Sequence, residues 1–103
     1  MKFNLSKVIY LLFIYLLSMT ELESELFTGV ERIFYENGVL FSEVFKLNGI
    51  KNGIRKSYHK NGQLWIEVNM IDGNKNGIQI TFHDNGQKIE ECTYINGVEQ
   101  DKP

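Results

Sequence analysis

Glutamates and histidines recur at a fixed interval in this chain, and both residue types can support catalysis or metal binding. Glu43, Glu67 and Glu91 are spaced 24 residues apart, as are His59 and His83. If each interval spans two strands of one sheet, neighbouring members lie about 10 Å apart, twice the strand spacing. Because a metal ion needs its ligands within about 2–2.6 Å, neither set is expected to close around one ion.

A carboxylate spacing of about 10 Å lies near the separation of roughly 6.5–9.5 Å found in inverting glycosidases. General acid catalysis, however, also needs an environment that favours a protonated carboxyl group. Glu43 and Glu67 are expected to face Arg32 and Lys56, which offer no such environment. We therefore interpret the three glutamates as a ladder in which Glu43 and Glu67 support the sheet through cross-strand ion pairs, with ligand contact as the alternative. Glu91 is expected to face Ile80, so no cross-strand ion pair is expected in the third copy.

The remaining reactive side chains give no catalytic pattern. Cys92 is the single cysteine, and its repeat equivalents are Val44 and Val68, so we expect a buried structural thiol rather than a nucleophile. His59 and His83 follow aromatic residues, and surface packing is the expected role for both. The sequence contains no glycine-rich phosphate loop and no zinc signature. It predicts a protein that is not an enzyme and that uses no cofactor or metal.

From residue 29 the chain repeats itself with a period of 24 residues and without gaps. The copies are 29–52, 53–76 and 77–100, and such fixed-period similarity indicates a repeat architecture. Each copy carries an Asn-Gly pair in its middle and an Asn-Gly or Asp-Gly pair near its end. The residues expected to form these turns and to start the later copies are Asn37, Gly38, Gly49, Gly53, Asn61, Gly62, Gly73, Gly77, Asn85, Gly86 and Gly97.

These turn pairs predict how the repeats fold. A two-residue type I′ turn requires positive φ at both central positions, which Asn-Gly tolerates. The segments between the turns are rich in Ile, Val, Phe, Tyr and Thr, as is typical of strands. Two strands in each copy predict an all-β fold, a single-layer antiparallel meander of three 24-residue β-hairpin repeats with six strands.

The stretch "FYENGVLFSEVFKLNGIKNG" and its two copies resemble the bacterial MORN-repeat variant family, whose members include YwqK-like antitoxins of toxin–antitoxin systems. The resemblance covers Gly29 to about Gln100. It implies a hairpin-repeat fold and a binding function, with a toxin as one class of partner. In the first copy the residues that match the family pattern are Tyr35, Glu36, Asn37, Gly38, Leu40, Glu43, Asn48, Gly49 and Gly53.

The chain departs from that family pattern in two columns. A glycine usually follows the repeat glutamate, and a tryptophan commonly lies two residues after the glycine that starts the repeat. The first column holds Val44, Val68 and Cys92 here, and the second holds Glu31, Arg55 and Gln79. The hairpin architecture tolerates both changes, whereas the family's binding surface is altered.

Pairing across the mid-repeat turns predicts which side chains share a face. With Glu36 and Val39 flanking the first turn, Phe34 lies opposite Phe41. The equivalent pairs are Tyr58 with Trp65 and Phe82 with Ile89. One face would then carry an aromatic patch, and large aromatic side chains commonly dominate interface energetics. The predicted binding patch is Phe34, Phe41, Tyr58, Trp65 and Phe82.

The opposite face is predicted to be partly apolar as well, with Leu40, Leu64, Val44, Val68 and Cys92. A single-layer sheet of this size cannot cover two apolar faces by itself. The pattern therefore favours a partner surface, self-association or curling of the sheet.

The N-terminal segment has a different composition from the repeats. Residues 1–20 contain a basic start followed by the apolar run Val8–Leu17, which is typical of a signal peptide or a short membrane anchor, and predict export. Residues 21–28 form an acidic lead-in, and residues 101–103 a short tail. Loss of Lys2 and Lys7 with the first segment would change the formal net charge from −2 to −4. An acidic domain is a poor nucleic-acid binder, and membrane contact is expected only through the N-terminal segment.

Two functions from different classes follow from these features. The first is an exported, non-catalytic binding module that recognises a protein, and the resemblance to antitoxins makes a toxin the implied partner. The second is a structural envelope protein that associates with its own copies through sheet edges or an apolar face.

Overall fold

The computed structural model describes residues 4–100, which form one helix and nine strands. The basic start with Lys2 and the predicted tail at residues 101–103 lie outside these residues. The elements are α1 Leu5–Leu26, β1 Gly29–Phe34, β2 Leu40–Leu47, β3 Ile50–Lys51, β4 Gly53–Tyr58, β5 Leu64–Ile71, β6 Asn74–Lys75, β7 Gly77–Phe82, β8 Lys88–Ile95 and β9 Val98–Glu99.

Helix α1 contains the whole apolar run and continues into the acidic lead-in. Asn4 caps its start, since Asn4 Oδ1 accepts a hydrogen bond from the Lys7 N–H at 3.4 Å. The apolar side chains from Val8 to Leu17 are all exposed. In the part of the chain that the structure describes, no helical segment combines the length and the hydropathy that a membrane span requires.

The strands form one antiparallel sheet in which each repeat contributes a long hairpin: β1 with β2, β4 with β5 and β7 with β8. The predicted all-β meander is confirmed. The structure adds three two-residue strands, β3, β6 and β9, each of which folds back onto the long strand before it. Because β3 and β4 both pair with β2, they form one strand interrupted near Asn52.

The turns at the ends of the repeats have the predicted type I′ geometry. Asn48 and Gly49 have φ values of 50° and 78°, and the equivalent positions in the later repeats are also positive. Leu47 pairs directly with Ile50 across this turn. The Asn-Gly and Asp-Gly pairs at these positions therefore connect strands through two-residue loops.

The mid-repeat turns differ from the prediction. Only the glycine has positive φ, 85° at Gly38, and Asn37 does not. The Gly38 N–H donates to Tyr35 O at 3.0 Å and the Tyr35 N–H donates to Val39 O at 2.8 Å. These bonds define a three-residue loop with a left-handed glycine, and Asn37 Oδ1 stabilises it by accepting from the Val39 N–H at 3.0 Å.

The longer loop shifts the strand register by one residue beside each mid-repeat turn. Arg32 lies opposite Glu43, as expected, but Phe34 lies opposite Leu40, which leaves Phe41 as the extra residue of a β-bulge. The same shift occurs in the second and third hairpins. The predicted pairs of Phe34 with Phe41, Tyr58 with Trp65 and Phe82 with Ile89 are therefore wrong.

Most of the buried side chains lie on one face of the sheet, here called the buried face. Its members share alternate positions along the strands: Val44, Ser57, Val68, Met70 and Cys92. Since the described strands form one layer, longer side chains of the same face must shield these residues from water.

Hydrogen bonds between repeats hold the hairpins in sequence. The amide N–H of Gly73 donates to Lys51 O at 2.9 Å, and that of Gly97 donates to Lys75 O at 2.8 Å. In the first repeat, Gly49 makes the equivalent bond to Phe27 O at 2.6 Å. Each end-of-repeat turn is thus fixed by the segment before its own hairpin.

Candidate functional site

A broad apolar surface lies on the side of the sheet opposite the buried face. Alternation along the strands places its members on one side, and the direct pairs Val30–Phe45, Leu47–Ile50 and Ile95–Val98 belong to it. Each member is 40–63% exposed. This surface, here called the exposed stripe, consists of Val30, Phe45, Leu47, Ile50, Ile54, Ile71, Ile78, Ile95 and Val98.

A row of charged side chains borders the exposed stripe. Arg32 Nε donates to Glu43 Oε2 at 2.9 Å, so the first predicted rung of the glutamate ladder forms an ion pair. Lys56 lies opposite Glu67 in the second hairpin. In the third repeat the cross-strand partner of Glu91 is Ile80, as expected, and Glu91 pairs instead with Lys88 at 2.7 Å.

The pair between Lys88 and Glu91 depends on the bulge at Ile89. Residues three apart on a regular strand point to opposite faces, but an extra residue restores them to the same side. A strand pairing predicted without the bulge does not place Lys88 beside Glu91.

The five residues of the predicted aromatic patch do not form one surface. Phe34 is 57% exposed and lies beside the stripe. Phe41, the bulge residue, borders a hollow on the buried face and packs edge-on against the Tyr35 ring at 5.0 Å. Trp65 likewise lies 5.3 Å from the His59 ring. Tyr58 lies opposite Leu64, and Phe82 lies opposite Lys88. The bulges therefore divide the predicted patch between the two sides of the sheet.

The predicted turn residues lie where the loops require them. All eight turn and repeat-start glycines of the prediction have positive φ. Asn61 Oδ1 and Asn85 Oδ1 each accept a bond from the N–H two residues later, as Asn37 does. These residues shape the hairpins and are not positioned for chemistry.

The hollow on the buried face has a volume of about 170 Å³ and is lined by both charged and apolar groups. Beside the hollow, Lys46 forms an ion pair with Glu31, and its Nζ lies 2.7 Å from Glu31 Oε2. Two further cationic side chains, Lys51 and Arg55, line its wall. The complete lining is Glu31, Ile33, Phe41, Ser42, Val44, Lys51, Arg55 and Ser57.

Two polar atoms of this face are buried without a hydrogen-bond partner: Arg55 Nε and Gln79 Oε1. Both residues belong to the column in which the family pattern commonly has tryptophan. The departure from that pattern therefore places polar groups in a largely buried row.

A second hollow of about 300 Å³ lies between the first two mid-repeat loops. Tyr35, Glu36, Asn37 and Lys60 line it, and Lys60 Nζ lies 6.0 Å from the Tyr35 ring. It carries one acidic and one basic side chain, both of them exposed, so its charges offer little selectivity for a ligand.

Three potential metal-ligating groups meet at the last hairpin. The carboxylates of Glu90 and Glu99 and the thiol of Cys92 have ligand atoms within 4.8 Å of one another. Cys92 Sγ donates to Glu90 Oε1 at 3.1 Å, so the thiol finds an acceptor inside the protein. Sequence reasoning missed this cluster because Glu99 belongs to β9, a strand that the six-strand prediction did not include.

The same cluster affects Tyr94. Partial burial raises the pKa of Tyr94 above its ordinary value, and the negative charges of Glu99, of the Cys92 thiolate at high pH, and of Glu90 raise it further. Lys75 Nζ lies 4.8 Å from the centre of the Tyr94 ring, where it makes a cation–π contact.

The three repeats match a known protein family. The family described as MORN repeat variant matches residues 27–45, 51–72 and 75–96, one segment in each repeat. No curated protein and no solved structure gives a significant match.

Proposed function

Since the chain belongs to the MORN repeat variant family, we propose that it is a non-catalytic module that binds a protein partner through the exposed stripe. The observation that carries this proposal is the set of nine apolar side chains left 40–63% exposed on one side of the sheet. An antiparallel sheet that faces water on one side normally carries polar residues there. Exposed apolar side chains gathered on one side of a sheet favour an interaction site.

The surroundings of the stripe support a protein partner. Protein interfaces combine an apolar centre with a polar rim. Here the ion pairs Arg32–Glu43 and Lys88–Glu91 lie beside the apolar side chains and remain partly exposed. They would contribute to the orientation and rate of association more than to affinity.

The proposal extends to export and an antitoxin-like role. The N-terminal segment supports export, since its apolar side chains from Val8 to Leu17 are exposed rather than packed. The family resemblance supports a toxin as partner, with protection by occlusion of the toxin's surface. An exported neutraliser would meet its toxin outside the cytoplasm.

The test is capture of the partner by the full chain carrying a C-terminal tag, from the native cell envelope, followed by binding measurements with the purified partner. We expect Ile54→Lys combined with Ile78→Lys to weaken that binding at least tenfold, because two charges would be placed in an apolar interface. Trp65→Ala is the matched control, since Trp65 lies outside the stripe. All three proteins must give the same unfolding midpoint.

Two results would contradict the proposal. Unchanged binding by the lysine variant would exclude the stripe, and loss of binding only in Trp65→Ala would restore the aromatic residues as the contact. Capture of further copies of the chain alone would favour the structural, self-associating function instead.

A further inference from the structure

The hollow on the buried face carries two cationic side chains that form no ion pair with a carboxylate of residues 26–100. Among the side chains of residues 26–100, the ion pairs include Arg32–Glu43, Lys46–Glu31 and Lys88–Glu91. Lys51 and Arg55 take part in none of them. Both nevertheless line one hollow of about 170 Å³.

Arg55 also lacks an acceptor for a buried donor. Its Nε is shielded from solvent and makes no hydrogen bond. A buried polar group without a partner is costly, and the cost is greater for a charged group. Its cross-strand neighbour on this face is Val68, which cannot supply an acceptor side chain.

The nearby acidic residue is already engaged. Glu31 lines the hollow, but its Oε2 lies 2.7 Å from Lys46 Nζ, and the Lys46 side chain is only 19% exposed. The hollow and its immediate border therefore hold three cations, Lys46, Lys51 and Arg55, and one carboxylate, Glu31. The resulting excess of positive charge in a recess attracts an anion.

The walls of the hollow limit which anion fits best. Ile33, Phe41 and Val44 provide apolar surface, while Ser42 and Ser57 provide hydroxyl groups. A carboxylate on a short apolar stem suits the cations and the apolar wall together. Its oxygens match a guanidinium group, and its stem contacts the apolar side chains. Inorganic phosphate would use the cations but gain nothing from the apolar residues.

We propose that this hollow binds a carboxylate carried on a short apolar stem, such as an acidic side chain or the C-terminus of a peptide. Arg55 and Lys51 pair with the carboxylate, and Ile33 and Phe41 contact the stem. The site goes beyond the proposed function, since it lies on the opposite side of the sheet from the exposed stripe.

The test is a titration of the full, ¹⁵N-labelled chain with butyrate, followed through the Arg55 Nε–H resonance in the NMR spectrum. Arg55 Nε is shielded from solvent, so a carboxylate reaches this atom only if the guanidinium group moves. Binding therefore changes the Nε–H resonance directly. We expect saturable binding with a dissociation constant in the millimolar range, as a small carboxylate held by two cations in a small site allows. Butyramide, the neutral amide of the same shape, should not bind.

Matched variants separate the site from general charge effects. Arg55→Gln should weaken butyrate binding at least tenfold, and Lys51→Gln should weaken it by a smaller factor. Glutamine already occupies the position equivalent to Arg55 in the third repeat, as Gln79, so the variant is compatible with the fold. Arg32→Gln removes an arginine on the other side and should leave binding unchanged. In the Arg55 variant, binding is followed through the backbone amide signals of Ser42 and Ser57.

Two peptides distinguish the sources of the carboxylate. One carries an internal glutamate and an amidated C-terminus, and the other has no acidic side chain and a free C-terminus. Competition with butyrate by either peptide supports the site and identifies its source. The proposal fails if neither peptide competes, if butyramide or phosphate binds as well as butyrate, or if Arg55→Gln leaves the affinity unchanged. None of these results depends on the exposed stripe.

Discussion

The imidazole of His59 donates a hydrogen bond from Nε2 to the carbonyl oxygen of Phe82, which lies 23 residues further along the chain, at 2.8 Å. One repeat earlier, the hydroxyl of Tyr35 donates to Tyr58 O at 2.6 Å across the same separation. Two different side chains thus make the same contact between successive hairpins. His59 is therefore best understood as a structural link between hairpins.

Replacement of His59 by phenylalanine should destabilise the sheet by about 1 kcal/mol, because it removes the donor and leaves Phe82 O without that partner. His83→Phe is the matched control. His83 occupies the same column but makes no such contact within residues 4–100, so its change should stay within about 0.5 kcal/mol. Urea-induced unfolding measures both. Equal losses in the two variants would contradict a linking role for His59.

Gly62→Ala should cost about 1–2 kcal/mol of unfolding free energy, the usual penalty of left-handed backbone for an L-residue. Gly62 has φ of 88°, and an added Cβ would meet nothing within 4 Å, so crowding cannot contribute. Gly62→Asn should lose less, since asparagine tolerates this conformation. Chemical denaturation of the two variants checks the order, and a larger loss for asparagine would refute the explanation.

Val68→Ala should destabilise the protein by about 2 kcal/mol, from lost burial together with the cavity left behind. Val68 is 1% exposed, whereas Val98 is 63% exposed. The identical change Val98→Ala should alter the free energy of unfolding by less than about 0.5 kcal/mol. Thermal unfolding compares the pair. Similar midpoints would mean that the buried face contributes no more stability than the exposed stripe.

Stability should fall as the pH rises above about 10, the ordinary pKa of tyrosine, because the pKa of Tyr94 is raised in the folded chain. Below this pH both states are protonated and the effect is absent. Above this pH Tyr94 ionises first in the unfolded chain. The free energy of unfolding therefore falls until the pH reaches the pKa of Tyr94 in the folded chain. The difference in urea midpoint between the wild type and Tyr94→Phe isolates this contribution. If the difference in urea midpoint between the two proteins did not change with pH, ionisation of Tyr94 would not be the cause of the lost stability.

Much of the architecture follows from the printed sequence. The ungapped period of 24 residues and the paired turn residues predict hairpins, and the central pairing of Arg32 with Glu43 follows from the loop position. The turn at Asn48 and Gly49 also has the predicted type. These features depend on local backbone preferences, which residue type determines strongly.

The candidate surfaces were harder to predict for a physical reason. Asn-Gly suits a two-residue type I′ turn and also a three-residue loop in which only the glycine is left-handed. The sequence does not distinguish them, and the second choice adds a bulge that moves Phe41 away from Phe34. One residue of register changes which side chains share a face. The predicted aromatic patch depended on that residue, whereas the exposed stripe lies beyond the bulge.

The carbonyl contacts of Gly73 and Gly97 make the sheet a linear array in which each hairpin depends on its nearest neighbour. In such an array the total stability is close to a sum over units and the junctions between them. Removal of residues 53–76 would bring Ser42 beside Thr81, the counterpart of its present partner Ser57. The length of the protein can therefore change by whole repeats without a new kind of junction, and the extent of its recognition surface would change in the same steps.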